Sequence, residues 1–192
     1  MPDGLVTIEE ADSLNDFMFH HYLTNRKLPG NQAGGHAGRN PSALDSKKVT
    51  PRAMYHLKTY LVEDNPVIRE SLIATLEELA PVKVVGTADN ELTAVQWLSQ
   101  PEQQADLVVV DIFLKSGSGL GVLRASGEFA NQRTLVVLSN YATADVRRKC
   151  LELGAARVFD KSNEIDALIE YCGDLAAERD RSGGAPGNGS TA

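Results

Sequence analysis

Cysteine is scarce in this chain of 192 residues, with only Cys150 and Cys172, each in a helical pattern among apolar neighbours. Two buried thiols are expected there rather than a disulfide or a metal pair. No apolar run approaches the ~20 residues that cross a bilayer, so no membrane span is expected. The amino terminus has acids and lacks an apolar core after a basic start, which argues against a signal peptide and for a cytoplasmic protein. Positive charge is also short. Residues 1–53 carry six acidic and six basic side chains, so the whole net charge of −7 falls on residues 54–192. A segment that acidic matches nucleic acid poorly, and no direct DNA binding is expected. What remains is ordinary: 42% hydrophobic and 23% charged residues suit one domain with a substantial core plus extensions.

The clearest stretch is residues 107–111, Leu-Val-Val-Val-Asp. Four apolar residues, three of them β-branched, run without alternation into a carboxylate. That pattern reads as a central strand of a parallel sheet covered by helices on both faces. Asp111 then sits at the carboxyl end of the strand, the edge where open α/β sheets bind ligands. Asp also caps loops, and taken alone it fits that role better.

Along the chain, Ile8, Ala11, Leu14, Phe17, Met18, Tyr22 and Leu23 can line one face of a short helix. Residues 29–53 are rich in Gly and Pro, poor in apolar side chains, and read as a disordered linker. Met54 stands directly before the first strand pattern, which makes it an alternative start of translation. Strands are then expected over Leu57 to Val62, Val82 to Val85 (closed by Gly86), 107–111, Leu135 to Leu138 and Ala156 to Phe159. Helices alternate with them. The first is capped by Asn65 with Pro66 in its first turn, and Ile68, Leu72, Leu76 and Leu79 form its stripe. Leu92, Val95 and Leu98 mark the second, and Leu120 and Leu123 the third, after a Gly117/Gly119 turn. Val146, Cys150 and Leu153 mark the fourth, with Gly154 at its end. The last is capped by Asn163 and carries Ile165, Leu168, Ile169 and Cys172. The expected division is an N-terminal extension over 1–53, a folded domain over 54–178 and a disordered tail over 179–192. Five strand–helix pairs in strict alternation give an α/β fold with a parallel sheet and right-handed crossovers.

Polar residues fall just past four of the strands: Glu63 and Asp64, then Asp111, Ser139 and Lys161. Parallel strands bring all of these ends to one edge. On these residues, with Gly119-Leu120 at the expected distance beyond Asp111, the chain from about Lys58 to Cys172 resembles the receiver domain of bacterial two-component response regulators. The resemblance implies a flavodoxin-like five-stranded sheet of order 2-1-3-4-5 with helices on both faces. It implies Asp111 as phosphoacceptor, and Mg²⁺ held by Glu63, Asp64, Asp111 and the backbone carbonyl of Phe113. Ser139 and Lys161 are implied as the phosphate-binding and switch residues. With strands one and three adjacent, three carboxylates would crowd together, and a hard divalent cation relieves their repulsion. Asp111 then attacks phosphorus as a carboxylate nucleophile, while Lys161 neutralises charge on the transferred group. The implied partners are a sensor histidine kinase or histidine phosphotransfer protein and an unidentified output protein. The switching surface would be helices four and five. The chain would assist only its own phosphoryl transfer and is otherwise not an enzyme. After the last helix too little chain remains for a helix-turn-helix unit, so a stand-alone receiver is expected.

Four positions depart from the commonest family pattern: Lys115 and Ser162 stand where prolines are usual, Asn140 where Ala or Gly is usual, and Val158 where an aromatic switch residue is typical, with Phe159 one place later. Tyr141 is placed either to screen an acyl phosphate from water or simply to pack over its loop, and both readings fit equally. Arg147, Arg148 and Lys149 form a basic run that suits either a partner face or a solvated surface. Two other readings compete. One is a receiver-like module that binds protein without phosphorylation. The other is a haloacid-dehalogenase-type phosphatase, whose chemistry wants a second acid where this chain has Phe113.

Overall fold

Strand 107–110 is the middle strand of a five-stranded parallel sheet in the computed structural model, which describes residues 55–129 and 133–183. The elements are β1 (Leu57–Val62), α1 (Pro66–Leu79), β2 (Val82–Ala88), α2 (Glu91–Leu98), β3 (Leu107–Val110) and α3 (Gly119–Phe129). They continue with β4 (Thr134–Ser139), α4 (Ala144–Glu152), β5 (Arg157–Asp160) and α5 (Ile165–Gly183). The sheet order is β2-β1-β3-β4-β5, and every neighbouring pair is parallel. The chain order thus reverses between β1 and β3, which opens a crevice at the carboxyl end of those two strands. The expected order and fold class are both found. The N-terminal helix, the linker and residues 184–192 lie outside the described residues.

The strands lack alternation because both faces of the sheet are buried, and successive residues sort to opposite sides. Leu57, Leu61, Leu107, Val109, Val136, Leu138 and Phe159 join Ile68, Leu72 and Leu76 of α1 and Ile165, Leu168 and Cys172 of α5 in one layer. Tyr60, Val62, Val108, Val110, Leu135, Val137 and Val158 join Ala94, Leu98, Val122, Leu123 and Cys150 of α2, α3 and α4 in the other. Both cysteines are free and buried as expected, and burial pushes the Cys172 thiol up to about 12.

Local signals explain most boundaries. Asn65 accepts from the Val67 and Ile68 N–H groups and caps α1, with Pro66 behind it. Gly154 takes φ +95° just after Leu153, the C-cap of α4, a left-handed conformation that glycine adopts without strain. Other boundaries differ from the sequence reading. β2 runs through Gly86 to Ala88, because the β1–β2 register shifts between Thr59 and Tyr60. A Cβ on Gly86 would lie 3.0 Å from the Tyr60 ring, which stacks on Trp97 at 3.9 Å. β3 ends at Val110, so Asp111 lies one residue beyond it. α5 runs from Ile165 to Gly183. Asn163 donates to Asp160 Oδ1 (3.4 Å), and the turn before α5 is closed by that same oxygen accepting the Ser162 N–H (2.7 Å).

Candidate functional site

Hydrogen bonds that continue past the strand ends deliver the polar side chains to one place. Glu63 N–H donates to the Ala88 carbonyl (3.0 Å), and Asp111 N–H donates to the Val62 carbonyl (2.9 Å). Lys161 N–H donates to the Ser139 carbonyl (3.1 Å). Gly119 presses against the same spot: a Cβ there would fall 2.0 Å from the Asp111 carbonyl oxygen, so only glycine fits. The sheet edge thereby fixes Glu63, Asp64, Asp111, Ser139 and Lys161 on rigid backbone.

Their side chains meet. Lys161 is 1% exposed and donates to Asp111 Oδ2 (2.6 Å) and Glu63 Oε2 (2.7 Å). Glu63 is equally buried, and its Oε1 accepts the Asn65 N–H (3.1 Å). Asp111 Oδ1 accepts the Phe113 N–H (3.3 Å). Asp64 points outward more, and its Oδ2 accepts the Lys115 N–H (3.1 Å) with the Lys115 ammonium 3.6 Å away. One oxygen from each of Glu63, Asp64 and Asp111 lies within 4.8 Å of the other two. Two of the three carboxylates thus share one buried ammonium. Burial pushes the Glu63 carboxyl up to about 7, with Lys161 opposing and the Asp111 charge reinforcing. Burial works to strip the proton from Lys161, but Asp111 and Glu63 outweigh it and hold the group above its ordinary value. An all-oxygen set with surplus negative charge fits a hard divalent cation such as Mg²⁺.

Ser139 ends β4 at the same edge of the sheet. It is 0% exposed and its Oγ has no hydrogen-bond partner. A buried hydroxyl without a partner costs free energy, and a strand-end position beside the carboxylates is where an incoming oxygen would satisfy it. At the mouth, Phe113 is 44% exposed and meets the Tyr141 ring edge-on at 5.1 Å.

The basic run on α4 divides. Arg148 pairs with Asp145 (2.7 Å) and Lys149 with Glu152 (3.4 Å), both along the exposed face of their own helix. Arg147 turns inward, to the carbonyls of Ala142 and Val158 and the carboxylate of Glu164. Val158 lies on the α4 side of the sheet, and Phe159 lies on the other, against Tyr171 of α5 at 5.9 Å. Phe159 therefore does not substitute for an aromatic ring at position 158.

Glu91 was not legible as a site residue. From the start of α2 its Oε2 accepts the Ser118 N–H (2.8 Å), while its own N–H donates to the Ser116 carbonyl (3.2 Å). Gly117 at φ +83° and Gly121 leave room for its carboxylate. This clamp holds the loop that follows Asp111. The glycines were the visible signal, but nothing in the spacing named their partner.

A family model, the response regulator receiver domain, matches residues 60–172, more than half of the chain. The chain belongs to that family. It is similar to a "Probable transcriptional regulatory protein" of Picosynechococcus sp., with 34% identity over 58% of this chain and 46% of that one. A protein-glutamate methylesterase/protein-glutamine glutaminase of Myxococcus xanthus shares 28% identity over 67% of this chain and 37% of its own length. The chain thus spans less than half of these two curated relatives. Among solved structures, the signal receiver domain of the response regulator NarL from Mycobacterium tuberculosis superposes with a TM-score of 0.57 and 20% identity, covering 64% of this chain and 98% of that one. A Burkholderia pseudomallei response regulator, described with a phosphorylated aspartic acid, calcium ion and citrate, gives a TM-score of 0.52 and 21% identity, covering 66% of this chain and 73% of that one. These two structures share the fold. No described helix is long and apolar enough to cross a membrane.

Proposed function

We propose that this chain is a phosphorylation switch in which Asp111 accepts a phosphoryl group from a histidine kinase or a histidine phosphotransfer protein. The observation that carries the reading is Lys161, held 2.6 Å from Asp111 Oδ2 within a cluster of three carboxylates. An Asp111 carboxylate oxygen attacks phosphorus of the donor phosphohistidine, the N–P bond breaks, and the imidazole nitrogen keeps the electron pair and takes up a proton. The product is an acyl phosphate at Asp111. Lys161 places its positive charge against the transferred oxygens, and Ser139 Oγ gains an acceptor there. Glu63, Asp64, Asp111 and the Phe113 carbonyl would hold Mg²⁺, which when bound supplies further charge neutralisation.

The chain itself catalyses only its own phosphoryl uptake, acts in the cytoplasm and passes the signal to a protein partner through the surface of α4 and α5. It neither binds DNA directly nor spans a membrane. Tyr141, packed on Phe113 at the mouth, screens the acyl phosphate from water.

The test is Mg²⁺-dependent labelling of the full chain by a small acyl phosphodonor, read by intact mass. One phosphoryl group, stable in acid, labile in base and abolished by Asp111→Asn, supports the reading. No uptake favours a module that binds without phosphorylation, and many turnovers per chain favour a phosphatase.

A further inference from the structure

Arg147 is a strongly engaged side chain that this chemistry leaves unused. Its Nε donates to the Ala142 carbonyl (2.8 Å), one terminal nitrogen to the Val158 carbonyl (2.5 Å) and the other to Glu164 Oε2 (2.6 Å). The same Glu164 oxygen accepts the Asp160 N–H (2.6 Å), next to Lys161 in the chain. Ala142 lies three residues past Ser139 and directly before Thr143, the cap of α4. Val158 lies three residues before Lys161. One guanidinium therefore ties the chain beyond Ser139 to the chain flanking Lys161. The planar fork of arginine suits this task, because it donates in several fixed directions at once.

We propose that Arg147 is a positioning residue that latches the unphosphorylated arrangement, and that a phosphoryl group at Asp111 loosens the latch and reshapes the groove between α4 and β5. The inference rests on the Asp111 reading and adds the route by which the site reaches the surface. Ser139 Oγ is buried without a partner, so an oxygen on Asp111 that engages it rewards an inward move of Ser139. The loop 140–142 follows, and the Ala142 carbonyl leaves the Arg147 Nε. The groove beside the guanidinium, about 310 Å³ and lined by Arg147, Leu151, Val158 and Glu164, gives it space to swing. Val158 has no ring to sweep that space, and Phe159 faces the other layer. Coupling of this kind is reciprocal: if occupation of the site opposes the latch, removing the latch favours occupation by the same factor.

The probe is beryllofluoride with Mg²⁺, a tetrahedral mimic of the phosphoryl group, titrated into the full chain. Arg147→Ala should bind it about fivefold tighter or more. Without the probe, its Leu151 and Val158 amide resonances should already lie between the free and bound positions of the wild type. Arg147→Lys, which keeps one anchor, should fall between the two. A residue that only braced the fold would lower Tm without tightening the probe, so equal or weaker affinity in folded Arg147→Ala overturns the latch. Should that variant fail to fold, Glu164→Gln loosens one anchor and must tighten binding by a smaller factor; no change there overturns the latch too. A wild type that takes up no beryllofluoride sinks the Asp111 reading and the latch together. Tight uptake indifferent to Arg147 sinks the latch alone.

Discussion

The two ends of the sheet handle polar groups in opposite ways. At the amino end, Asp106 accepts from the Tyr55 hydroxyl (3.0 Å) and the Lys58 N–H (2.8 Å), and Arg133 donates to the carbonyls of Leu98 (2.5 Å) and Gln103 (2.6 Å). Those donors and acceptors close on one another. At the carboxyl end two of three clustered carboxylates share one buried ammonium, and a buried serine hydroxyl stands without a partner. One end is finished by the protein itself. The other is left with surplus negative charge and an unpaired hydroxyl, which the proposed cation and phosphoryl group would satisfy.

Variants at each end should separate stability from chemistry. The largest effect is expected from Lys161→Met, which leaves two buried carboxylates without their counter-charge. A loss of about 3–5 kcal/mol in urea unfolding is expected, together with failure to take up phosphate. A variant as stable as the wild type would mean that Lys161 is not the counter-ion at neutral pH. At the other end, Asp106→Ala removes two hydrogen bonds and should cost about 1–2 kcal/mol in the same measurement. Labelling at Asp111 should stay at the wild-type rate, and a drop would show that the two ends are coupled. Ser139→Ala removes a buried hydroxyl with no partner, so its stability should rise, by about 1 kcal/mol. Its phosphoryl uptake should nonetheless slow, and an unchanged rate would strip Ser139 of its proposed role. The smallest effect belongs to Lys115, whose exposed ammonium sits 3.6 Å from Asp64. Lys115→Gln keeps the backbone bond and removes the charge, so divalent-cation affinity by calorimetry should rise about twofold to fourfold, most visibly at low salt. Weaker binding in that variant would contradict the electrostatic account.

The strands were legible because a sheet buried on both faces demands unbroken apolar runs, and Leu107 to Val110 is such a run. The site residues were legible for a related reason. Glu63, Asp111 and Lys161 each interrupt an apolar pattern just past the end of a strand. What stayed hidden depends on pairing between segments distant in sequence. The extension of β2 follows from Gly86 making way for the Tyr60 ring across the β1–β2 register shift. The clamp from Glu91 to Ser118 spans separate loops, and its only local trace is the pair Gly117 and Gly121. Arg147 read as one of three equivalent basic residues, yet its side chain turns under the loop while Arg148 and Lys149 pair along the helix. Charge can be counted along a chain, but its direction is set by packing.

Phosphorylation of the full chain by a small acyl phosphodonor with Mg²⁺, followed by borohydride reduction and peptide mapping, tests the central claim most directly. Reduction of an acyl phosphate turns its aspartate into homoserine and so marks the acceptor. Homoserine at position 111, with Asp64 unchanged and no reduced alcohol at Glu63, is the expected result. Homoserine elsewhere, or an unreduced chain after exposure to the donor, would contradict the account.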